Sequence, residues 1–173
     1  MMLRHLVSIL LLPFVVVVIA PVWLLNRFPS AVSPGVEAAL PGWALRAIGL
    51  ALCLGGFGLF SWCISLFVRV GRGTLAPWAP TRNLVAVGPY RYVRNPMISG
   101  VVAMLLGEAL LWESIVLGLW ACVFTLINHA YCVLFEEPGL EQRFGEDYRA
   151  YKASVPRWIP RLDFIADWYK RHS

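Results

Sequence analysis

Apolar stretches long enough to cross a membrane alternate with short polar stretches along this chain. The first, residues 6–25, is apolar throughout except for Ser8 and can span about 30 Å of hydrocarbon. The basic residues before it also fit a secretory signal, but its length and its two prolines favour a retained helix. A proline-rich loop leads to the second predicted span, residues 43–67.

The next two apolar segments predict a helical hairpin. They cover residues 98–112 and 115–135, and the short connection between them makes the two helices antiparallel neighbours. The polar region that follows carries apolar residues at steps of four, four and three, which predicts an amphipathic helix ended by Pro156. The apolar stripe of this helix consists of Leu140, Phe144, Tyr148 and Tyr151.

Small residues line one face of the second predicted span, at Ala51, Gly55 and Gly58. A neighbouring helix can approach a backbone closely along such a face. Glycine is also simply frequent in membrane helices, which explains the pattern equally well, so both interpretations stay open.

The composition agrees with a membrane location. The 173 residues are 59% hydrophobic and 14% charged, whereas globular domains average about 45–50% and about 25%. We therefore predict an all-α membrane protein with four transmembrane helices, the last two a helical hairpin, followed by a cytosolic C-terminal amphipathic helix. A single domain is expected over residues 1–173, with two spans in 1–70, the functional core in 71–160 and a tail in 161–173.

The basic residues predict the orientation of the spans. All of the 15 Lys and Arg residues except Arg27 and Arg46 fall before the first span, between the second and third spans, or after the fourth. With four spans these regions share one side, and the positive-inside rule places that side, and both termini, in the cytoplasm. Anionic lipid explains the net charge of +5, so a lipid bilayer rather than a nucleic acid is the expected partner.

Neither a metal site nor a disulfide is expected. The cysteines lie inside apolar segments without a C-x-x-C pair, and thiols buried in such helices are usually inert. His129 is expected to order helix packing, since no second His or Cys lies at a spacing suited to metal ligands. The cysteines are Cys53, Cys63, Cys122 and Cys132.

Two polar islands interrupt the apolar pattern, one at residues 88–97 and the other at residues 136–138. A hairpin of the last two spans brings Arg94 and Asn95 of the first island close to the two glutamates of the second. Glutamates suit an ammonium or sulfonium group, arginine and asparagine suit a carboxylate or ribose, and tyrosine rings suit a cationic or heteroaromatic group. S-adenosylmethionine carries all of these groups.

Each of these side chains also has a simpler explanation. Arg91 and Arg94 fit positive-inside anchors, and Tyr90 and Tyr92 fit the aromatic belt at a membrane surface. The glutamates at residues 136–137 fit acids in the first turn of a helix, where the helix dipole favours them.

Glu108 is a functional candidate because it lies within a predicted span. The alternative is a structural glutamate that is protonated or hydrogen-bonded across helices to Asn128 or His129.

Over roughly residues 70–160 the chain resembles the integral membrane methyltransferases that include isoprenylcysteine carboxyl methyltransferase and phosphatidylethanolamine N-methyltransferase. The matching text is GTLAP at 73–77, LV at 84–85, GPYRYVRNPM at 88–97, EEP at 136–138, FGEDY at 144–148, Tyr151 and VPRWIP at 155–160. The resemblance implies S-adenosylmethionine as the cofactor, held between the central loop and the C-terminal helix. The implied cofactor contacts are Asn83, Leu84, Val85, Tyr90, Asn95, Pro96, Met97, Ile98 and Glu136, with Gly71 and Gly73 standing for the Gly-x-Gly of the phospholipid branch.

Two departures from the carboxyl methyltransferase branch bear on the substrate. That branch typically reads Arg-His-Pro where this chain has Arg-Asn-Pro at 94–96, and the phospholipid branch can read Asn-Pro-Met, as at 95–97 here. Cys132 stands where the carboxyl branch places a substrate-holding arginine. We therefore assign Cys132 and His129 to the substrate side and favour a phospholipid amine over a prenylcysteine carboxylate.

Methyl transfer from a sulfonium is an in-line displacement that depends mainly on positioning. We expect Glu136 to bind the cofactor ammonium, Arg94 to orient a carboxylate or phosphate, and Glu137 or Glu108 to accept a proton from an amine. The alternative is a non-enzymatic four-helix membrane assembly or transport subunit. That alternative explains the hydropathy and the charge asymmetry but gives the two polar islands no role.

Overall fold

The computed structural model describes residues 13–28, 41–71 and 83–160, which are mostly helical with no β-strand among them. Gly73, the tail at 161–173 and the first residues of the chain lie outside this description. The helices are α1 (Val15–Arg27, with a π-helical start at Val15–Ile19), α2 (Gly42–Arg69), α3 (Pro96–Leu111), α4 (Ile115–Tyr131) and α5 (Glu137–Ser154). A 3-10 turn at Gly88–Arg91 precedes α3, and a π-helical turn at Cys132–Glu136 joins α4 to α5.

Two helices are long and apolar enough to cross a membrane. One is α2, and the other is the continuous helix Ile115–Ser154 that α4, the π turn and α5 form together. The helices α1 and α3 are apolar but shorter, so four spans stay a prediction. Large apolar side chains project outward from the long helices, as expected where lipid replaces water; examples are Trp43 (75% exposed), Leu126 (68%) and Phe135 (66%).

The helices α2 and α3 touch through glycines. A Cβ atom added to Gly56 would lie 2.5 Å from the carbonyl oxygen of Gly100, and one added to Gly49 would lie 2.7 Å from that of Gly107. The two contacts are one heptad apart on each helix, the spacing of a left-handed crossing. Only glycine lets two helix backbones approach this closely.

The predicted small-residue face of α2 is a different one, and none of the described helices packs against it. Ala51 is exposed, and a Cβ atom added to Gly55 or Gly58 would meet nothing within 4 Å among the described residues. Among the described helices, the packing of α2 therefore does not use these three residues, and a helix contact on this face stays a prediction. The pattern of small residues showed two possible faces of α2, and only the rotation of the helix about its axis decided between them.

The antiparallel hairpin of α3 and α4 forms as predicted, with slightly different ends. Ser114 caps α4 by accepting a hydrogen bond from the backbone N–H of Leu117 (3.4 Å). The indole of Trp120 on α4 donates to the carbonyl oxygen of Val16 (3.1 Å), within the π-helical start of α1. Together α1, α3 and α4 bury an apolar core with the middle of α2, centred on Leu105.

The helix α5, where the amphipathic helix was predicted, is continuous with the fourth predicted span instead of following a break. Pro138 lacks an N–H and its ring collides with the carbonyl four residues earlier in a regular helix. The helix widens into a π turn directly before Pro138, where the N–H of Glu137 bonds to the carbonyl oxygen of Cys132, five residues back. The π turn thus accommodates Pro138 without ending the helix, which later kinks at Gly145 (φ 54°) and ends before Pro156.

The glycine contact predicts a clear contrast between neighbouring residues of α2. Replacing Gly56 with alanine forces the two backbones apart and is expected to destabilise the protein by about 1–3 kcal/mol. Replacing Gly55 with alanine places a methyl group in open space and should leave stability unchanged or slightly higher. Thermal unfolding in detergent, followed by circular dichroism, measures both, and equal effects would show that α2 and α3 do not pack as described.

Candidate active site

A cleft lies at the end of the hairpin where the two polar islands meet. It encloses about 540 Å³ of empty space, part of which is open solvent. Its walls come from the end of α2, the segment before α3, the π turn and α5. The lining residues are Phe67, Leu84, Val85, Tyr90, Arg94, Asn95, Glu136, Glu137, Leu140, Phe144, Tyr148 and Tyr151.

The cleft contains some of the predicted cofactor contacts and not others. Leu84, Val85, Tyr90, Asn95 and Glu136 line it, together with Arg94 and Glu137. The remaining described members of the predicted set are near the cleft in sequence but do not line it. These members are Gly71, Asn83, Pro96, Met97 and Ile98.

The 3-10 turn before α3 is held between α2 and α5. The ring of Tyr90 meets that of Phe67 edge to face, with centroids 5.6 Å apart. The hydroxyl of Tyr151 on α5 donates to the carbonyl oxygen of Tyr90 (2.8 Å). Gly88 begins the turn with a φ of 60°, which a glycine adopts without strain. The turn therefore fixes one aromatic wall of the cleft.

Glu137 is a buried carboxylate surrounded by three cations. Arg94 Nη1 and Arg157 Nε both donate to Glu137 Oε1, at 2.8 and 2.7 Å, and Lys152 Nζ lies 3.4 Å from Oε2. The Glu137 side chain is only 6% exposed. Burial alone would raise the pKa of Glu137, but the hydrogen bond from Arg157 and the charge of Arg94 lower it below its usual value. Glu137 is therefore ionised at neutral pH.

Glu136, the preceding residue, has the opposite environment. Among the described residues no basic side chain pairs with it, and its polar contact is the thiol of Cys132, whose Sγ lies 3.2 Å from Oε2. Burial raises the pKa of Glu136, the Cys132 hydrogen bond opposes this rise, and the charge of Glu137 adds to it. One glutamate of the pair is thus neutralised by the protein, and the other is available to a ligand.

The chain after α5 folds back and closes the ion cluster. We call residues 155–160 the C-terminal strap. The backbone N–H of Arg94 donates to the carbonyl oxygen of Pro156 (2.9 Å), and Arg157 binds Glu137 as described. The indole of Trp158 donates to His129 Nδ1 (3.0 Å). His129 is therefore used in holding the strap to α4, and it does not line the cleft.

Glu108 lies far along α3 from the cleft and is not among its lining residues. It is twelve residues along α3 from Pro96, which corresponds to about 18 Å of helix. Its Oε2 atom is buried without a hydrogen-bond partner among the described residues. The proposed alternative partners bond elsewhere, Asn128 to the carbonyl of Phe124 and His129 to Trp158. The structure therefore does not bring Glu108 to the cleft.

Comparison with known proteins identifies the family of this chain. The family model described as "Phospholipid methyltransferase" matches residues 45–147, well over half of the chain. The chain belongs to the phospholipid methyltransferase family. An uncharacterised protein of Haemophilus influenzae is 35% identical over 54 residues, which cover 31% of this chain and 76% of that protein. No solved structure matches the chain.

The part of the chain that matches the phospholipid methyltransferase family includes the lining of the cleft except Tyr148 and Tyr151, and the strap also lies beyond it. Sequence reasoning missed the strap's role in the site. Arg157 and Lys152, which were not predicted as site residues, both contact Glu137. The available signal was the VPRWIP run at residues 155–160, which carries part of the family resemblance.

The ion cluster predicts a large difference between two glutamates on α5. Replacing Glu137 with glutamine leaves Arg94 and Arg157 without a counter-charge and should cost about 3 kcal/mol of stability. Replacing Glu146, whose pair with Arg149 is exposed, should cost less than about 1 kcal/mol. Thermal unfolding of both variants in detergent tests this, and a Glu137→Gln loss as small as that of Glu146→Gln would contradict the buried cluster.

The lowered pKa of Glu137 also predicts a pH dependence. A carboxyl whose pKa is lower when folded stabilises the protein above its unfolded pKa of about 4.3, and this stabilisation is lost as the pH falls through the folded pKa. The wild type should therefore lose its advantage over Glu137→Gln on acidification below about pH 4.3. The difference between the unfolding temperatures of the two proteins is measured from pH 6 to pH 3, because the contributions of the other carboxyls cancel in it. A difference that does not change with pH would refute the lowered pKa of Glu137.

Proposed function

We propose that this protein transfers a methyl group from S-adenosylmethionine to the amine of a membrane phospholipid. Membership of the phospholipid methyltransferase family supports the reaction type and a lipid acceptor. The observation that carries the cofactor assignment is Glu136, a carboxylate in the cleft that no described cation neutralises.

The residues of the cleft fit the polar groups of this cofactor. Its amino-acid end carries an ammonium and a carboxylate, and Glu136 offers a partner for the first. Arg94 Nε is buried and has no hydrogen-bond partner among the described residues, so it offers a donor for a carboxylate or a phosphate. The rings of Tyr90 and Phe67 form an aromatic wall for a heteroaromatic group. The cofactor, when bound, supplies an electrophilic methyl on a sulfonium.

The contribution of the protein is mainly alignment. Glu137 and the strap hold Arg94 in place, and the 3-10 turn holds Tyr90 against Phe67. A reaction that joins a methyl donor and an amine gains its rate largely from such positioning. We assign Glu137 to this positioning role because its lowered pKa makes it a weak proton acceptor. An amine that enters the cleft unprotonated already presents its lone pair and needs no protein base.

The acceptor is proposed to reach the cleft from the bilayer. The outward apolar surface of α4 continues to Leu134 and Phe135, directly before the glutamate pair. A phospholipid can keep its chains against this surface while its head group lies at the level of the cleft. The non-enzymatic alternative gives no reason for the unneutralised carboxylate of Glu136 in the same cleft as Arg94, whose buried Nε has no hydrogen-bond partner among the described residues.

Binding of S-adenosylhomocysteine tests the cofactor assignment. Calorimetry on the purified protein in nanodiscs should show binding, and Glu136→Gln should weaken it about 10- to 100-fold, since a hydrogen bond between charged groups is lost. Glu146→Gln, which changes an exposed glutamate on the same helix, is the matched control and should bind normally. Equal affinity of wild type and Glu136→Gln would overturn the role of Glu136.

Transfer of labelled methyl groups tests the acceptor. The protein is incubated with methyl-labelled S-adenosylmethionine and vesicles that contain either phosphatidylethanolamine or only phosphatidylcholine. We expect label in the lipid fraction of the first sample alone. Label in a protein or small-thiol fraction would redirect the acceptor, and no label beside an active control enzyme would contradict the enzymatic proposal.

A further inference from the structure

The hydrogen bond between Cys132 and Glu136 joins a buried thiol to the carboxylate of the cleft. Cys132 Sγ lies 3.2 Å from Glu136 Oε2, and only 1% of the cysteine surface is exposed. A thiol is a weak donor, but a donor that faces a carboxylate stabilises its ionised form. The contact therefore opposes the tendency of a buried carboxyl to take up a proton.

The π-helical turn places these two side chains together. Cys132 is its first residue and Glu136 its last. π turns inside helices are rare and frequently lie at functional sites. Here the turn ends between the two glutamates. The side chain of Glu136 contacts the thiol of Cys132, whereas that of Glu137 contacts Arg94 and Arg157. Cys132 does not line the cleft itself and acts only through its partner.

We propose that Cys132 is a positioning residue that holds Glu136 ionised and aimed into the cleft. The identity of the ligand that Glu136 then binds rests on the proposed function. The effect of the thiol on the carboxyl rests only on the described contact.

The other titratable and charged groups around Glu136 leave this role to the thiol. Glu137 is a negative neighbour and disfavours a second charge. Arg94 lines the same cleft, but its Nη1 bonds to Glu137. The tyrosines that face the site from the 3-10 turn and from α5 stay neutral at neutral pH because burial raises the pKa of each, that of Tyr148 to about 12. The three tyrosines are Tyr90, Tyr148 and Tyr151.

Infrared titration tests the proposal without any ligand. The carboxyl C=O band of protonated Glu136 is identified as the band that Glu136→Gln lacks, and its titration is followed in wild type, Cys132→Ala and Cys132→Ser. We expect the midpoint to rise by about half a unit to one unit in Cys132→Ala. Cys132→Ser keeps a donor and should restore the wild-type midpoint. Cys122→Ala, which changes an exposed cysteine of α4, is the matched control and should not move it.

The pH profile of S-adenosylhomocysteine binding connects the midpoint to the ligand. Affinity should fall on acidification in every protein, but at a higher pH in Cys132→Ala than in wild type or Cys132→Ser. Absence of binding by the wild type would overturn the proposed function, while the infrared midpoints would still decide the role of the thiol. Equal midpoints in wild type and Cys132→Ala would overturn this inference, whatever the binding results.

Discussion

The carboxylate of Glu137 is the point at which three separate parts of the chain are joined. Arg94 reaches it from the segment before α3, Lys152 from the end of α5, and Arg157 from the strap. A carboxylate this deeply buried is stable only with partners, and each arginine is equally dependent on the acid. The shape of the cleft depends on this pairing, because Arg94 and Glu137 both line the cleft and their ion pair sets the distance between two of its walls.

Two adjacent glutamates have opposite roles because of where their side chains point. Glu137, whose charge is neutralised by cations of the protein, holds parts of the site together. Glu136, which has no described cationic partner, is the one proposed to bind a cationic group of a ligand. The π turn at Cys132–Glu136 ends directly before Glu137, so the two glutamates lie on either side of its end. Pro138 gives a physical reason for the turn, since a regular helix cannot accommodate its ring.

The contact between α2 and α3 supports the cleft from within the helical bundle. Where Gly56 meets Gly100, the two backbones lie too close for any side chain, which sets the axial position of one helix against the other. The end of α2 thereby carries Phe67 to the ring of Tyr90, on the turn that leads into α3. The close crossing of α2 and α3 thus determines where the aromatic wall formed by Phe67 and Tyr90 lies in the cleft.

The sequence by itself determined the helices, the hairpin and the meeting of the two polar islands. Apolar runs of membrane length must form helices, because lipid offers no partner to an open backbone, and a short connection makes Arg94 and Glu137 neighbours. Only the tertiary structure decided which face of α2 packs, which glutamate is paired, and that Arg157 folds back to pair it while His129 holds the strap. These outcomes depend on the rotation of each helix about its axis and on the path of the chain after α5, and both are set by packing that no local pattern records.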